Sequence, residues 1–255
     1  MTKRSPQFTQ TPQNTKLIKL KCSGIIPHWI QGKLVRNGPA LFELDSTSLK
    51  HWFDGYGLLH GFIFQNGEVY YQSKYIESDE YINASRSGRV STVAWGTASD
   101  PCRSVFRRFM ANFTAHPSNT NVNVIKVGNK YFSTSDIATI NEFDIESLDT
   151  LSNFTASKSA VMAAHPSYTS DNVAWNMISA FGPVAKNTFV ELTDNPSVIK
   201  HTSFTTKNLY YFHSFGNTDR YQISIEQPMQ LNFSKLIKSG ISNKSFYECF
   251  EWNKD

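Results

Sequence analysis

The sequence predicts an all-β fold built from repeated antiparallel units, and three observations support this prediction. Short apolar runs are joined by turn dipeptides, of which Asn66-Gly67 is the strongest hairpin signal. Aromatic residues, which favour strands, are abundant, with 19 Phe, 11 Tyr and 5 Trp. The turns also recur at nearly regular intervals, as they do in the blades of a β-propeller.

Four strand-turn-strand units follow one another along the chain. Their predicted turns lie at 65–67, 128–129, 171–172 and 217–219, and their return strands at 68–75, 130–134, 173–178 and 221–226. Turn centres near 67, 128, 172 and 217 leave final intervals of 44 and 45 residues, which is the length of one propeller blade. The first interval is longer because residues 94–118 are predicted to form an insertion.

Helices are expected only as short pieces. One is predicted within 105–110, where apolar residues could share a face, and another within 232–238. We find no linker that would divide the chain. The predicted organisation is therefore a flexible N-terminal arm over residues 1–20, followed by one domain over residues 21–255 that amounts to about half of a propeller.

Composition limits the function classes. The net charge of +4 is mild and the basic residues are dispersed, so we expect no nucleic-acid partner. No apolar run approaches the length of about 18 residues that a membrane-spanning helix needs. The polar N-terminus lacks the apolar core of a secretory signal, and three scattered cysteines do not form a disulfide framework. These features favour a cytoplasmic protein.

Two histidines are the strongest candidates for a functional site. His165 lies in Ala-Ala-His-Pro-Ser-Tyr (163–168), and His213 lies in Tyr-Phe-His-Ser-Phe-Gly (211–216), both predicted to be strand-like. Their separation is close to one blade, and equivalent positions on successive blades point at one central axis. Two imidazoles facing one axis could form half of a metal site. The alternative for either residue alone is an ordinary core or surface histidine.

A series of ordered motifs resembles the carotenoid cleavage oxygenases. They are Ile-Pro-His-Trp-Ile-Gln-Gly-Lys-Leu-Val-Arg-Asn-Gly-Pro-Ala-Leu-Phe (26–42), His-Trp-Phe-Asp-Gly-Tyr-Gly-Leu-Leu-His (51–60), Asp-Pro-Cys-Arg-Ser-Val-Phe-Arg-Arg-Phe (100–109), Asn-Thr-Asn-Val-Asn-Val (119–124), Ala-His-Pro (164–166) and His-Ser-Phe-Gly (213–216). The third motif is similar to the animal branch, which holds the β-carotene dioxygenases and the retinoid isomerohydrolase. The resemblance covers about residues 20–255.

The resemblance implies a seven-bladed propeller with Fe(II) bound on its axis by four histidines. His165 resembles the first ligand and His213 the second, whereas the third and fourth lie further along in family members, which are about twice as long. The fold expected here is thus all-β, a partial seven-bladed propeller comprising about the first half of the ring, with short helices in insertions. The same resemblance implies that the chain is truncated and inactive alone.

Family ligand histidines are oriented by glutamates, and the position that matches the first of these is Asp136, in Ser-Thr-Ser-Asp-Ile (133–137). Aspartate is one methylene shorter, so it would reach a histidine directly, reach it through water, or lie solvated at a strand end. Ser167 replaces the second histidine of the family's His-Pro-His motif. Both positions depart from the family pattern.

A membrane-facing substrate entrance is implied for the insertion. The residues concerned are Cys102, Arg103, Phe106, Arg107 and Phe109. Apolar and basic side chains on one short segment could lie on a membrane surface, and the alternative is an ordinary helix packed on the propeller.

The function implied is Fe(II)-dependent oxidative cleavage of a carbon–carbon double bond, with an apolar polyene and dioxygen as substrates. Two alternatives remain open. One is a non-catalytic protein that binds an apolar ligand or a partner. The other is retinoid isomerohydrolase chemistry, which the visible residues do not distinguish from dioxygenase chemistry.

Overall fold

The computed structural model describes residues 8, 10–45, 47–90, 94–98, 104, 106, 117–195 and 197–253. Within these ranges strands dominate, and two short α-helices occur. The prediction of an all-β fold with few helices is therefore confirmed.

The first sheet is antiparallel and contains the first predicted hairpin. Its strands are β1 (Ile18–Lys19), β2 (Gly32–Leu41), β3 (Tyr56–Gln65) and β4 (Glu68–Tyr75). They are ordered β1-β4-β3-β2. Asn66 and Gly67 have φ angles of 53° and 79°, so residues that tolerate left-handed backbone occupy the two-residue turn.

The described part of the predicted N-terminal arm lies along the first sheet. Thr11 N donates to Ala40 O at 2.9 Å, and Leu20 N donates to Val69 O at 2.8 Å. Strand β1 pairs with β4 between these two contacts. The flexibility predicted for residues 1–20 stays a prediction.

The second sheet contains four antiparallel strands in chain order. They are β5 (Asn123–Val127), β6 (Lys130–Thr134), β7 (Thr139–Phe143) and β8 (Thr150–Thr155). Alternate residues of β5 such as Ile125 and Val127 are buried, which is the period expected of a strand with one face on the core. The second predicted hairpin is thus found within one residue of its expected bounds.

The third sheet has an interrupted strand at one side. Its strands are β9 (Ala160–Met162), β10 (Ser167–Tyr168), β11 (Ala174–Ala180), β12 (Ala185–Thr193) and β13 (Ser197–Thr206). Both β9 and β10 pair with β11, and residues 163–166 lie between them. Pro166 lacks an N–H group, so the ladder cannot continue through it. His165, predicted to be strand-like, therefore lies in a break between two strands.

A buried apolar cluster joins the second and third sheets. Phe132, Ile140, Met162 and Val190 are among its members, and each is at most 4% exposed. Burying a side chain of this size contributes about 2 kcal/mol, so the cluster fixes the two sheets face to face. A comparable cluster that includes Leu59 and Phe143 joins the first and second sheets.

The last part of the chain has shorter strands than expected. Its elements are β14 (Gly216–Asn217), β15 (Gln222–Ile223), β16 (Met229–Leu231), α2 (Phe233–Ser242) and β17 (Phe250–Trp252). The return strand predicted over 221–226 is only two residues long. The helix predicted within 232–238 is confirmed, capped by Asn232, whose side chain accepts from Lys235 N.

Helix α1 (Asp79–Ser87, the first helix of the described chain) was not predicted from the sequence. Its apolar periodicity is weak, but its ends carry clear signals. Ser78 caps the N-terminus by accepting from Tyr81 N, and Gly88 ends the helix with a φ of 64°. Cap residues rather than hydrophobic spacing would have located this helix.

Candidate metal centre

The two candidate histidines lie on chain segments that run side by side. His165 forms an isolated parallel bridge with Ser214. His165 N donates to His213 O at 3.3 Å, which ties the two segments together directly beside the rings. The break in the third sheet makes this possible, because the backbone around His165 is not committed to β11.

The imidazole rings meet edge to face. Nε2 of His165 lies 3.0 Å from Nε2 of His213, and the ring centroids are 4.7 Å apart. Both side chains are half-buried. The chain therefore brings both histidines to one point, across 48 positions of sequence.

Asp136 lies on the far side of the His213 ring. It sits in the connection between β6 and β7, and its Oδ1 and Oδ2 atoms are 2.9 and 3.1 Å from Nδ1 of His213. Among the geometries left open by the shorter side chain, direct contact is the one observed. This hydrogen bond raises the pKa of His213 against the opposing effect of burial.

The Asp136 contact defines the proton positions of His213. A carboxylate only accepts, so the proton in this bond belongs to Nδ1. In the neutral imidazole, Nε2 then carries a lone pair that faces His165. Burial, and then the neighbouring His213, lower the pKa of His165, which favours the neutral form of that ring.

Tyr211 completes this group and was missed in the sequence. Its hydroxyl donates to Asp136 Oδ2 at 3.1 Å and lies 3.4 Å from His213 Nδ1. Burial, and then the Asp136 carboxylate, raise the pKa of Tyr211, so the hydroxyl keeps its proton. Its spacing could have revealed it, since residues two apart in extended chain point to the same side.

The two imidazole nitrogens are suitable as two of the ligands of an iron ion. A metal with bonds of about 2.1 Å to two imidazole nitrogens at a right angle separates those nitrogens by about 3.0 Å, the spacing of the Nε2 atoms. Imidazole is a suitable ligand for iron. The alternative use of this geometry is a direct hydrogen bond from His165 Nε2–H to the His213 lone pair. Across the described ranges, no three His, Cys, Asp or Glu side chains are grouped to hold a metal.

A cavity of about 170 Å³ adjoins Asp136. Its wall is mainly apolar and aromatic, with Phe53, Trp95, Phe181 and Phe246 among the lining residues. Such a wall suits a flat apolar ligand. Two buried carboxylates, those of Asp54 and Glu80, also line it, and both accept hydrogen bonds from main-chain N–H groups.

The predicted membrane entrance is mostly outside the described residues. Cys102, Arg103, Arg107 and Phe109 fall there. Phe106 is described, and 72% of its surface is exposed. No helix in the described ranges is long and apolar enough to cross a membrane.

Sequence comparison relates the chain to one family and to its curated members. The sequence model described as retinal pigment epithelial membrane protein matches residues 7–255. The mitochondrial carotenoid-cleaving dioxygenase of Homo sapiens is 34% identical, over 97% of this chain and 47% of that protein. The β,β-carotene 15,15′-dioxygenase of Gallus gallus is 33% identical, over 93% of this chain and 50% of that protein. The chain thus spans about half the length of these relatives.

Solved structures share the fold. A chimera of ACO and RPE65 superposes with a TM-score of 0.79 at 21% identity, over 97% of this chain and 53% of that one. Cobalt-substituted apocarotenoid oxygenase of Synechocystis gives 0.77 at 22% identity, over 98% and 53%. At these identities the likeness concerns the fold alone.

Proposed function

Since this chain belongs to the retinal pigment epithelial membrane protein family of carotenoid oxygenases, we propose that it serves an Fe(II)-dependent dioxygenase that cleaves a carbon–carbon double bond of an apolar polyene. The observation that carries the proposal is the His165–His213 pair, whose Nε2 atoms lie 3.0 Å apart with Asp136 behind one ring. Its curated relatives are named as carotenoid dioxygenases.

His165 and His213 would hold the iron through Nε2. Dioxygen has unpaired electrons and reacts slowly with a polyene, whose electrons are all paired. When bound, iron would supply the activation of dioxygen. Asp136 keeps the Nδ1–H proton on His213 and so leaves Nε2 free to coordinate. Two imidazoles alone hold a divalent metal weakly, so we propose that two further histidines are needed and that the chain is inactive without them.

The cavity beside Asp136 would receive part of the polyene. Its aromatic wall offers stacking and apolar contact, and it excludes water from the reacting bond. In the balanced reaction one carbon–carbon double bond breaks and each oxygen atom of dioxygen ends in one carbonyl product. No other oxidant or reductant is required.

We propose that this fold forms part of a larger propeller ring. Successive antiparallel sheets of four or five strands, packed face to face, support the first part of a seven-bladed propeller. The histidines would then lie near its axis.

The exposed Phe106 supports the proposal of a peripheral membrane contact, because an apolar polyene partitions into membranes. Cytoplasmic location and the absence of a nucleic-acid partner stay predictions. One curated relative carries the name mitochondrial.

A binding protein without catalysis is the second candidate. It is favoured by the mainly apolar and aromatic wall of the cavity, which suits an apolar ligand whether or not a metal is bound. Such a protein would bind a polyene in the cavity, quench the fluorescence of Trp95, and release the polyene unchanged.

The test compares the chain with the full coding sequence of its gene. Each is loaded anaerobically with Fe(II), mixed with β-carotene and ¹⁸O₂, and assayed for bound iron and labelled carbonyl products. We expect labelled products only from a polypeptide that contains two further ligand histidines, and their loss in His213→Ala. His201→Ala is the matched control, because His201 is exposed and contacts Glu191 and Trp175 rather than either candidate ligand. Unchanged iron content in His213→Ala would contradict the proposal.

A further inference from the structure

We propose that Tyr211 is a positioning residue that fixes the plane of the Asp136 carboxylate and thereby the Nδ1–H tautomer of His213. The inference deepens the proposed metal centre and rests on it. Tyr211 would not touch the metal or the substrate's reacting bond. Its effect would pass through Asp136.

The hydrogen-bond geometry distinguishes the two carboxylate oxygens. Oδ1 makes the shorter contact with His213 Nδ1, at 2.9 Å, whereas Oδ2 lies 3.1 Å from the same nitrogen and also accepts from Tyr211 at 3.1 Å. A short side chain has only two torsions, but the carboxylate can still rotate about the second one. A donor held on Oδ2 stops that rotation with Oδ1 facing the imidazole.

The position of the Tyr211 hydroxyl is itself fixed. Tyr211 N donates to Met229 O at 2.8 Å, which anchors the backbone. The Tyr211 ring packs against Trp95 at a centroid distance of 5.2 Å and meets Phe250 edge to face at 6.4 Å. Trp95 is held in turn because its carbonyl accepts from Tyr247 N at 2.8 Å.

The buried Asp54 extends this support to the connection between β2 and β3. Its carboxylate accepts from Gly96 N at 3.1 Å and from the Thr97 hydroxyl at 2.5 Å. These bonds fix the loop that carries Trp95. A continuous set of contacts therefore runs from Asp54, in the short 3-10 helix before β3, through Trp95 and Tyr211 to Asp136.

Aspartate makes this support more necessary than glutamate would. With one methylene fewer, Asp136 has one torsion fewer than glutamate with which to bring its carboxylate to His213. Placement by Tyr211 compensates for the shorter reach. A ligand whose outer partner is lost binds metal about 10 to 100 times more weakly.

Tyr211→Phe isolates the hydroxyl, because phenylalanine keeps the ring that packs on Trp95. Tyr210→Phe is the matched control. Its hydroxyl contacts Ser224 at 2.7 Å, and it removes the same atom one position away. Both variants are compared with the unaltered 255-residue chain, and near-ultraviolet circular dichroism verifies that each is folded.

The first measurement uses metal-free protein with ¹⁵N-labelled histidine. Imidazole nitrogen shifts distinguish the Nδ1–H tautomer from the Nε2–H tautomer. We expect His213 to be an Nδ1–H tautomer in the unaltered chain and in Tyr210→Phe, and a mixture in Tyr211→Phe. Identical His213 spectra in all three proteins would overturn the inference.

The second measurement titrates Co²⁺ alone into the same three proteins. We expect Tyr211→Phe to bind cobalt about tenfold more weakly, the lower end of what loss of an outer partner costs, with Tyr210→Phe unchanged. Two imidazoles bind cobalt weakly, so the titration is carried to a large excess of Co²⁺. If the unaltered chain takes up no cobalt at His165 and His213 even then, the proposed metal centre fails, whatever the tautomer result. If cobalt binds equally to all three, the centre stands and the role of Tyr211 is wrong.

Discussion

Two junctions in this molecule use polar side chains in opposite ways. The first junction is the contact of residues 117–123 with helix α1 and the first sheet. The second junction is the contact of residues 163–166 with residues 211–216. At the first, amides and a carboxylate bond to main-chain groups. At the second, ring nitrogens face each other. Polar side chains whose hydrogen-bonding capacity is filled by main-chain groups stabilise the fold. Polar side chains that keep a free lone pair can bind a ligand.

The first junction is dense in such backbone contacts. Asn121 Nδ2 donates to Phe53 O and Gly55 O at 2.8 and 2.7 Å. Asn119 Oδ1 accepts from Gly57 N at 3.1 Å. Glu80 Oε2 accepts from two successive main-chain N–H groups, both at 2.7 Å. Each of these bonds satisfies a main-chain donor or acceptor at the junction.

The largest effect on stability is expected at Gly57. A Cβ atom there would lie 2.5 Å from Thr120 O, and that carbonyl cannot move without opening the first junction. Gly38→Ala is the control, since a Cβ at Gly38 meets nothing within 4 Å. We expect Gly57→Ala to lower the free energy of unfolding by about 3 kcal/mol more than Gly38→Ala, measured by denaturant unfolding. Equal losses would show that the junction is loosely packed.

The second-largest loss of stability is expected for Glu80→Ala. It leaves two main-chain N–H groups without their acceptor, at a cost of about 2 kcal/mol or more in unfolding free energy. Glu80→Gln keeps one acceptor oxygen and should lose about half as much. Chemical denaturation at pH 7 measures both. An alanine variant as stable as the glutamine variant would mean that water from the cavity replaces the carboxylate.

The pH dependence of stability sharpens the same comparison. Burial raises the pKa of Glu80 above its ordinary value of 4.5, against the opposing effect of its main-chain hydrogen bonds. A raised folded-state pKa contributes stability below 4.5, and this contribution is lost as pH rises through the folded-state value. We therefore expect the unaltered chain to lose stability relative to Glu80→Gln as the pH rises above 4.5. A difference that does not change with pH would place the Glu80 pKa at its ordinary value.

The smallest stability effect is expected at the second junction. His165 and His213 are half-buried, and their ring contact adds little to packing. His165→Ala and His213→Ala should each change the unfolding free energy by less than about 1 kcal/mol. Both should abolish cobalt binding, with His201→Ala unchanged, as measured by calorimetric titration. A large loss of stability in either variant would mean that the histidines serve the fold.

The sequence predicted the second junction better than the first. His165 and His213 stood out because few residue types coordinate metals and their spacing matched a blade. The first junction was visible only as the motif over 119–124. Its role depends on which main-chain groups come near, and these are up to 86 positions away, as for Asn37 and Asn123.

Other features could not be predicted for physical reasons. Helix α1 has too few apolar residues to show a period. The break at Pro166 arises because proline cannot donate a hydrogen bond to β11, and the sequence does not show that β11 is the neighbouring strand. The contact of Tyr211 with Asp136 joins positions 75 apart, and only the path of the chain brings them together.

The hydrogen bond from His165 N to His213 O has a mechanical consequence. It couples the two backbones at the same place where the rings meet, while Pro166 uncouples that stretch from the ladder of β11. A displacement of either segment is therefore transmitted to the other by this bond, so the separation of the two Nε2 atoms depends less on how the sheets are placed than it would without the bond.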